Sequence, residues 1–170
     1  MGSPPVDSPD APEKSFPEGY GILDPEVLKS LSGLELLRGW SDGSLPSAPI
    51  AHTLGFHLAE VEEGRALFVG RPHWGLYNPI GSVHGGYAAT LLDSCMSCAV
   101  HSTLPAGTGY TTAEIKVNFV RAISADSGEI RAEGKLIHPG RRLATSEGRI
   151  TDARGRLLAH GTATCFVFPL

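Results

Sequence analysis

The segment from Gly85 to Leu104 constrains the fold of this chain more than any other, because it is apolar or small on nearly every side. Its apolar members are Tyr87, Ala88, Ala89, Leu91, Leu92, Cys95, Met96, Cys98, Ala99 and Val100. A helix with almost no polar face has to be buried on most of its sides. The sequence therefore predicts a long central helix that other elements enclose.

Segments with β-strand character lie on both sides of this helix. Two precede it, at 50–60 and 65–70, and four follow it, at 110–120, 128–138, 143–151 and 156–168. In the clearest, TTAEIKVNFV, the residues Ala113, Ile115, Val117 and Phe119 alternate with polar ones, which is the period of a strand with one covered face. Six antiparallel strands bury one helix by wrapping around it, so the pattern predicts an α+β hotdog fold. A parallel sheet is disfavoured, because one long helix cannot supply the repeated crossovers.

The chain before the first strand divides into two parts. Residues 1–22 contain many Pro, Ser and Asp residues and are expected to form a disordered tail. Residues 23–48 hold an extra N-terminal helix that starts at Asp24-Pro25-Glu26, followed by a linker rich in Gly, Ser and Pro. Residues 49–170 are expected to form the hotdog domain.

Charge and composition exclude several classes of function. The net charge is −4, and no basic run exceeds the pair Arg141-Arg142, which argues against a nucleic-acid partner. No apolar run approaches the about 18 residues that would span a bilayer. The N-terminus has neither the basic start nor the apolar stretch of a secretory signal, so the cytoplasm is the expected compartment.

The pair Cys95 and Cys98 has the spacing of a redox or metal motif. No second Cys or His pair stands at ligand spacing, and buried, apolar cysteines on one helix are the favoured interpretation. We therefore expect neither a metal nor a cofactor.

The sequence His84-Gly85-Gly86 opens the long helix, and a single carboxylate, Asp93, interrupts its apolar run. A helix N-terminus offers unpaired backbone N–H groups and positive potential, and two glycines let a carbonyl oxygen come close to them. Such a site can stabilise the oxyanion that forms when a thioester or ester carbonyl is attacked. Taken alone, the two glycines also suit a tight strand-to-helix turn, and Asp93 also suits a hydrogen bond to a neighbouring loop.

One chain cannot bring the two features together. Gly85 and Asp93 stand eight residues apart, which is about 12 Å along a helix, whereas attack on a carbonyl needs about 3 Å. Two such helices packed antiparallel about a two-fold axis would place Asp93 of each beside Gly85 of the other. The sequence thus predicts composite sites in a dimer.

The combination of Asn78, His84-Gly85-Gly86 and Asp93, within about 34–168, resembles the hotdog acyl-CoA thioesterases of the phenylacetate-pathway type, which include the 4-hydroxybenzoyl-CoA thioesterases. The resemblance implies that the Gly85 N–H holds the thioester carbonyl and that Asn78 helps to hold substrate or water. It implies that Asp93 of the neighbouring subunit acts as general base or nucleophile. It also implies an oligomer, a dimer at minimum and by expectation a tetramer of two dimers.

Further residues carry over from the same resemblance. Ser97 and Thr112 match positions where a hydroxyl orients the acid or water, and His84 is expected to hold the loop rather than to act as base. Substrate-binding candidates are Tyr77, Gly86, Arg121, Gly140, Arg141 and Arg142, of which the arginines suit the phosphates of coenzyme A. An acyl pocket near Trp74, Tyr77, Tyr87 and Met96 would favour aryl or medium-chain groups.

Two other functions stay open at this stage. One is a hotdog hydratase or dehydratase that acts on acyl thioesters, although its histidine would occupy a different loop motif. The other is a non-catalytic acyl-CoA sensor, for which a buried carboxylate beside the bound carbonyl would have no purpose. Hydrolysis of an acyl-CoA thioester is the favoured function.

Overall fold

The computed structural model describes residues 16–170. Three short helices come first, α1 (Pro25–Ser30), α2 (Gly33–Asp42) and α3 (Pro49–Leu54), followed by strands β1 (Phe56–Glu62) and β2 (Arg65–Gly70). The long helix α4 (Gly85–His101) precedes β3 (Thr108–Phe119), β4 (Ile130–His138), β5 (Leu143–Asp152) and β6 (Leu157–Pro169). Single 3-10 turns, Trp74–Leu76 and Ala125–Ser127, lie in the two longest connections. None of the helices within 16–170 is long and apolar enough to cross a membrane.

The six strands form one antiparallel sheet in the order β1-β2-β4-β5-β6-β3. Helix α4 packs against one face of the sheet, with Leu91, Leu92, Cys95 and Met96 completely buried. The predicted hotdog fold is confirmed.

Two glycines let α4 lie directly on the sheet. Gly134 of β4 and Gly148 of β5 are register partners. A Cβ atom at Gly134 would lie 2.1 Å from the Cys95 carbonyl oxygen, and one at Gly148 would lie 2.7 Å from Met96 Cγ. At Gly134 the helix backbone therefore lies closer to β4 than a side chain at that position would permit.

The segment before β1 differs from the prediction in two ways. The predicted N-terminal helix is two helices, α1 and α2, separated at Leu31 and Ser32, where Ser32 forms a capping box with Glu35. The predicted strand from residue 50 begins only at Phe56, because Pro49 starts a helical turn that Gly55 ends with a φ of +68°. The first fifteen residues of the predicted tail lie outside the described residues, whereas Gly19 and Gly21 form backbone hydrogen bonds with Ser47.

The alternating pattern of β3 identified the correct face of the strand but not its surroundings. Ile115 and Phe119 lie opposite Ala163 and Ala159, both buried under α4. Nevertheless Ile115 is 38% exposed and Phe119 is 59% exposed. The reason is that β3 is an edge strand, and its inner face extends beyond the cover that one helix provides.

Candidate active site

The loop before α4 is closed by its own hydrogen bonds. The Asn78 side chain accepts from the Ile80 N–H at 3.1 Å and donates to Ser82 Oγ at 3.2 Å, while its backbone N–H donates to the Ser82 carbonyl. Gly81 completes the turn with a φ of +87°. The Tyr77 hydroxyl accepts from the Ala125 N–H at 2.8 Å and ties the loop to the β3–β4 connection. Asn78 thus shapes the loop that delivers the chain to Gly85.

His84 is the N-cap of α4. Its Nδ1 atom accepts the Gly86 N–H at 2.9 Å, so that nitrogen carries no proton in this arrangement. The Gly85 N–H donates to no acceptor among residues 16–170. Capping by His84 therefore occupies one amide of the helix N-terminus and leaves the Gly85 amide available.

This N-terminus opens into a cavity of about 190 Å³, which we call the Gly85 cavity. Asn78, His84, Phe119 and Arg121 line it together with Gly85. The free Gly85 N–H and the helix dipole give the cavity a positive potential that suits a carbonyl oxygen or an oxyanion.

Asp93 faces a different cavity. Its Oδ1 atom accepts a hydrogen bond from Thr112 Oγ1 at 2.8 Å, across from α4 to β3. The surrounding space, which we call the Asp93 cavity, measures about 170 Å³. It is lined by Asp93, Ser94, Ser97 and Cys98 of α4, by Phe56, His57, Leu58, Phe68 and Tyr110 of the sheet, and by Tyr20, Trp40, Ser47, Ala48, Ile50 and Ala51 of the N-terminal segment.

The two cavities have no lining residue in common. The residues predicted to act together are therefore divided within one chain. Asn78, His84 and Gly85 line one cavity, whereas Asp93 and Ser97 line the other, and Thr112 holds Asp93 by a hydrogen bond. The spacing on α4 corresponds to about 12 Å between Gly85 and Asp93. A single chain cannot place the carboxylate against a carbonyl bound at Gly85.

The cysteines of α4 are structural. Cys95 and Cys98 are free and buried. Burial raises the pKa of the Cys98 thiol to about 12, and burial also raises the pKa of Cys95. Both thiols stay protonated at neutral pH, which confirms their interpretation as small apolar side chains.

The basic candidates occupy two separate places. Arg121 lines the Gly85 cavity, where its Nη1 also donates to the Leu157 carbonyl oxygen. Gly140, Arg141 and Arg142 lie at the opposite end of α4, in a third cavity that also contains Thr103 and Leu104. This third cavity measures about 700 Å³.

The predicted acyl-pocket residues do not line the Asp93 cavity. Trp74 is 74% exposed and stacks on Tyr77 at 4.5 Å, whereas Tyr87 and Met96 belong to the core. The aromatic lining comes instead from Trp40, Phe56, Phe68 and Tyr110, which no local motif marks in the sequence.

Comparison with known proteins finds one family whose sequence pattern matches part of this chain. Residues 80–159, from the loop before α4 into β6, match the thioesterase superfamily. Over these residues the chain is similar to members of that superfamily. The resemblance to hotdog thioesterases that rested on Asn78, the two glycines and Asp93 is thereby confirmed.

Individual relatives agree with the family. A 1,4-dihydroxy-2-naphthoyl-CoA hydrolase from Listeria monocytogenes is 25% identical over 118 residues, which cover 69% of this chain and 94% of that protein. The crystal structure of a thioesterase family protein from Silicibacter pomeroyi is 25% identical, with a TM-score of 0.70, and the match covers 79% of this chain and 99% of that one. The PaaI protein of the Escherichia coli phenylacetic acid degradation operon has the same fold, with 19% identity, a TM-score of 0.70, and coverage of 81% and 96%.

Proposed function

We propose that this protein hydrolyses an acyl-CoA thioester to the free acid and coenzyme A, in a site shared between two subunits. The observation that carries the proposal is that the two candidate groups of helix α4, Gly85 and Asp93, line two separate cavities. An available backbone donor lies at Gly85, and a carboxylate held by Thr112 lies about 12 Å further along. These are the two groups that thioester hydrolysis needs.

The outer side of α4 supports the pairing of two such helices. Gly86, Ala89, Thr90, Asp93 and Ser94 are at least partly exposed and follow helical spacing along one face. Because these side chains are small, a second helix can approach closely. An antiparallel copy centred near Ala89 would align Gly85 of each subunit with Asp93 of the other.

The inner face of β3 supports the same dimer. Its exposed Ile115 and Phe119 flank α4, and Phe119 contacts the helix N-terminus, since a Cβ at Gly85 would lie 3.2 Å from its ring. Apolar surface of this kind is expected to be covered by protein or ligand. A second subunit would cover it.

In the shared site, the thioester carbonyl oxygen accepts the Gly85 N–H, and the helix dipole stabilises the negative charge that develops on it. Asp93 of the neighbouring subunit either removes a proton from the attacking water or attacks the carbonyl carbon itself. The second route forms an anhydride that water then hydrolyses. In both routes the carbon–sulfur bond breaks, the thiolate of coenzyme A leaves, and it takes up a proton.

The same pairing would bring the separated arginines together. Thr103 lies beyond the C-terminal end of α4, and in the antiparallel dimer it would stand about 15 Å beyond the partner's Gly85 along the helix axis. The Arg141-Arg142 turn of one subunit would then lie at the same end of the helix pair as the Gly85 cavity and Arg121 of the other subunit. Guanidinium groups there would bind the phosphates of coenzyme A.

A release assay tests the hydrolysis. The purified chain is incubated with a panel of aryl and medium-chain acyl-CoAs, and free coenzyme A is measured with a thiol reagent. We expect release from at least one substrate, and loss of release with retained binding in Asp93→Asn. Tight binding without release across the whole panel would instead identify an acyl-CoA sensor.

A further inference from the structure

Phe119 is the exposed apolar side chain among the described residues that line the Gly85 cavity. It is 59% exposed, although it lies on the inner face of β3, opposite the buried Ala159. The other apolar side chains of this cavity are buried, namely Val83, Ala88, Ile123, Leu158 and Ala159. The ring of Phe119 therefore stands at the mouth of the cavity, between its apolar interior and solvent.

The ring lies beside the backbone of Gly85. A Cβ atom at Gly85 would lie 3.2 Å from Cζ of Phe119 and 3.3 Å from its Cε1. A Cβ atom of a helix points outward from the axis, whereas the N–H groups point along the axis. The ring thus flanks the Gly85 amide without filling the direction from which an acceptor approaches it.

The end of β3 holds the ring in this place. Phe119 pairs with Ala159, and the next two N–H groups, of Val120 and Arg121, both donate to the Leu158 carbonyl, at 2.8 Å and 3.0 Å. The Arg121 side chain also donates to the Leu157 carbonyl oxygen. The backbone that carries Phe119 is therefore attached to β6, so the sheet and not a free loop sets the position of the ring.

A ring in this position affects how much water reaches the Gly85 amide. Gly85 is half-buried, and its neighbours His84 and Gly86 are exposed. A hydrogen bond to a charged oxygen is stronger where water is excluded, because the local dielectric is lower. Phe119 has no polar atom in its side chain, so it can strengthen that hydrogen bond by covering it and not by adding another donor.

We propose that Phe119 is a positioning residue, whose ring keeps water from the Gly85 amide and so strengthens the hydrogen bond from this amide to the thioester carbonyl. The effect is greatest in the transition state, where the carbonyl oxygen carries most charge. This inference rests on the proposed function in that it takes the Gly85 amide as the donor to that carbonyl.

Infrared spectroscopy of a bound ketone tests the proposal without requiring hydrolysis. The probes are analogues of benzoyl-CoA and hexanoyl-CoA in which a CH2 group replaces the thioester sulfur, with an isotope label at the carbonyl carbon. The carbonyl stretching frequency falls as the hydrogen bond to its oxygen becomes stronger. We expect a lower frequency for the bound ketone than for the same ketone in water.

Phe119→Leu and Phe119→Gln separate the exclusion of water from the filling of space, because Leu and Gln are similar in size and differ in polarity. We expect the leucine variant to keep the low frequency and most of the activity. The glutamine variant should return towards the frequency in water and lose about tenfold in kcat, with KM changed by less than about twofold. Should Phe119→Gln fail to fold, Phe119→Val and Phe119→Thr, which have the same shape, replace the pair.

Ile115→Gln is the matched control, since Ile115 is exposed on the same face of β3 and does not line the Gly85 cavity. It should leave the frequency of the bound ketone unchanged. Equal frequencies in the leucine and glutamine variants, no lowering in the unmodified protein, or no binding of either ketone would overturn the proposal. Failure of hydrolysis would appear separately in the release assay, because an acyl-CoA sensor would still lower the frequency in a way that depends on Phe119.

Discussion

At the scale of single residues, the hydrogen bond from Thr112 to Asp93 links the carboxylate on α4 to the edge strand. Its length of 2.8 Å is that of an ordinary O–H···O hydrogen bond. The bond restricts the rotamers of a side chain that would otherwise move in a half-open cavity. Such a bond affects catalysis more than binding if Asp93 acts only during the chemical step.

Thr112→Val replaces this hydroxyl by a methyl of similar size. We expect kcat to fall about ten- to hundredfold with little change in KM, because the loss is felt chiefly in the transition state. Thr112→Ser keeps the donor and should retain most of the activity. Unchanged kcat in the valine variant, measured by release of coenzyme A, would show that Thr112 has only a structural role.

His101 at the end of α4 makes the stability of the protein depend on pH. Its ring is 7% exposed and lies 4.9 Å from the ring of Tyr110. Burial lowers the pKa of His101 to about 4. Between pH 6.5 and pH 4 the unfolded chain binds a proton at this residue and the folded chain does not, so the free energy of unfolding falls as the pH falls through that window.

The expected loss from this histidine between pH 7.5 and pH 4.5 is about 2 to 3 kcal/mol. His101→Phe retains the aromatic contact and should remove that part of the pH dependence, leaving the part due to carboxylates. Urea unfolding of both proteins at the two pH values measures the difference. If both proteins lose the same free energy of unfolding between the two pH values, folding does not lower the pKa of His101.

At the scale of elements, the contact of α4 with the sheet sets the positions of both cavities. Gly134 and Gly148 pair across β4 and β5 beneath the helix. A Cβ atom added at each glycine would meet a different neighbour. At Gly134 the nearest atom belongs to the helix backbone, whereas at Gly148 it belongs to the flexible Met96 side chain.

This difference predicts unequal costs for the same substitution. Gly134→Ala should lower the free energy of unfolding by about 3 kcal/mol or more, because the helix has to move, whereas Gly148→Ala should cost about 1 kcal/mol, because Met96 can change rotamer. Denaturant unfolding of the two variants provides the comparison. Equal costs would mean that α4 shifts on the sheet as easily as one side chain repacks.

The turn between β4 and β5 carries the arginine pair proposed to bind coenzyme A. Replacing Arg141 and Arg142 by Ala should raise KM for acyl-CoA far more than for the corresponding pantetheine thioester, which lacks the nucleotide phosphates. Arg154→Ala, in the turn at the other end of β5, is the matched control and should change neither. Equal effects on both substrates would show that Arg141 and Arg142 are ordinary surface charges that do not bind the phosphates.

At the scale of the whole molecule, the proposed site requires two chains. Asp93→Asn should remove most of kcat and leave binding almost intact. Gly85→Val should also be inactive, because a side chain obstructs the approach of the carbonyl and crowds Phe119.

Mixing the two inactive proteins under conditions of subunit exchange should restore activity. Random exchange makes half of the dimers mixed, and each mixed dimer contains one intact site of two, so about a quarter of the original activity is expected. The measurement is coenzyme A release before and after mixing, with native mass spectrometry to establish exchange. Exchange without recovered activity would contradict the shared site.

The sequence by itself determined the long helix, most of the strands, and the places of the glycine pair and Asp93 along the helix. The apolar run of α4 and the alternation in β3 are local patterns, set by the 3.6 and 2.0 residue periods of helix and strand. The glycine pair and Asp93 were recognisable because their spacing on a regular helix converts directly into distance. Thr112 was named as a partner from the resemblance, and its bond to Asp93 lies across β3 and α4.

Only the tertiary structure decided which distant segments meet. Trp40 and Ser47 join the Asp93 cavity through the docking of α2 and its following loop, and nothing local in their sequence signals it. The same holds for Arg121 and Arg141, which lie at opposite ends of α4, and for Ile115 and Phe119, which remain exposed on an edge strand. Local periodicity specifies which face of an element is apolar, but which element covers that face depends on contacts between residues far apart in the chain.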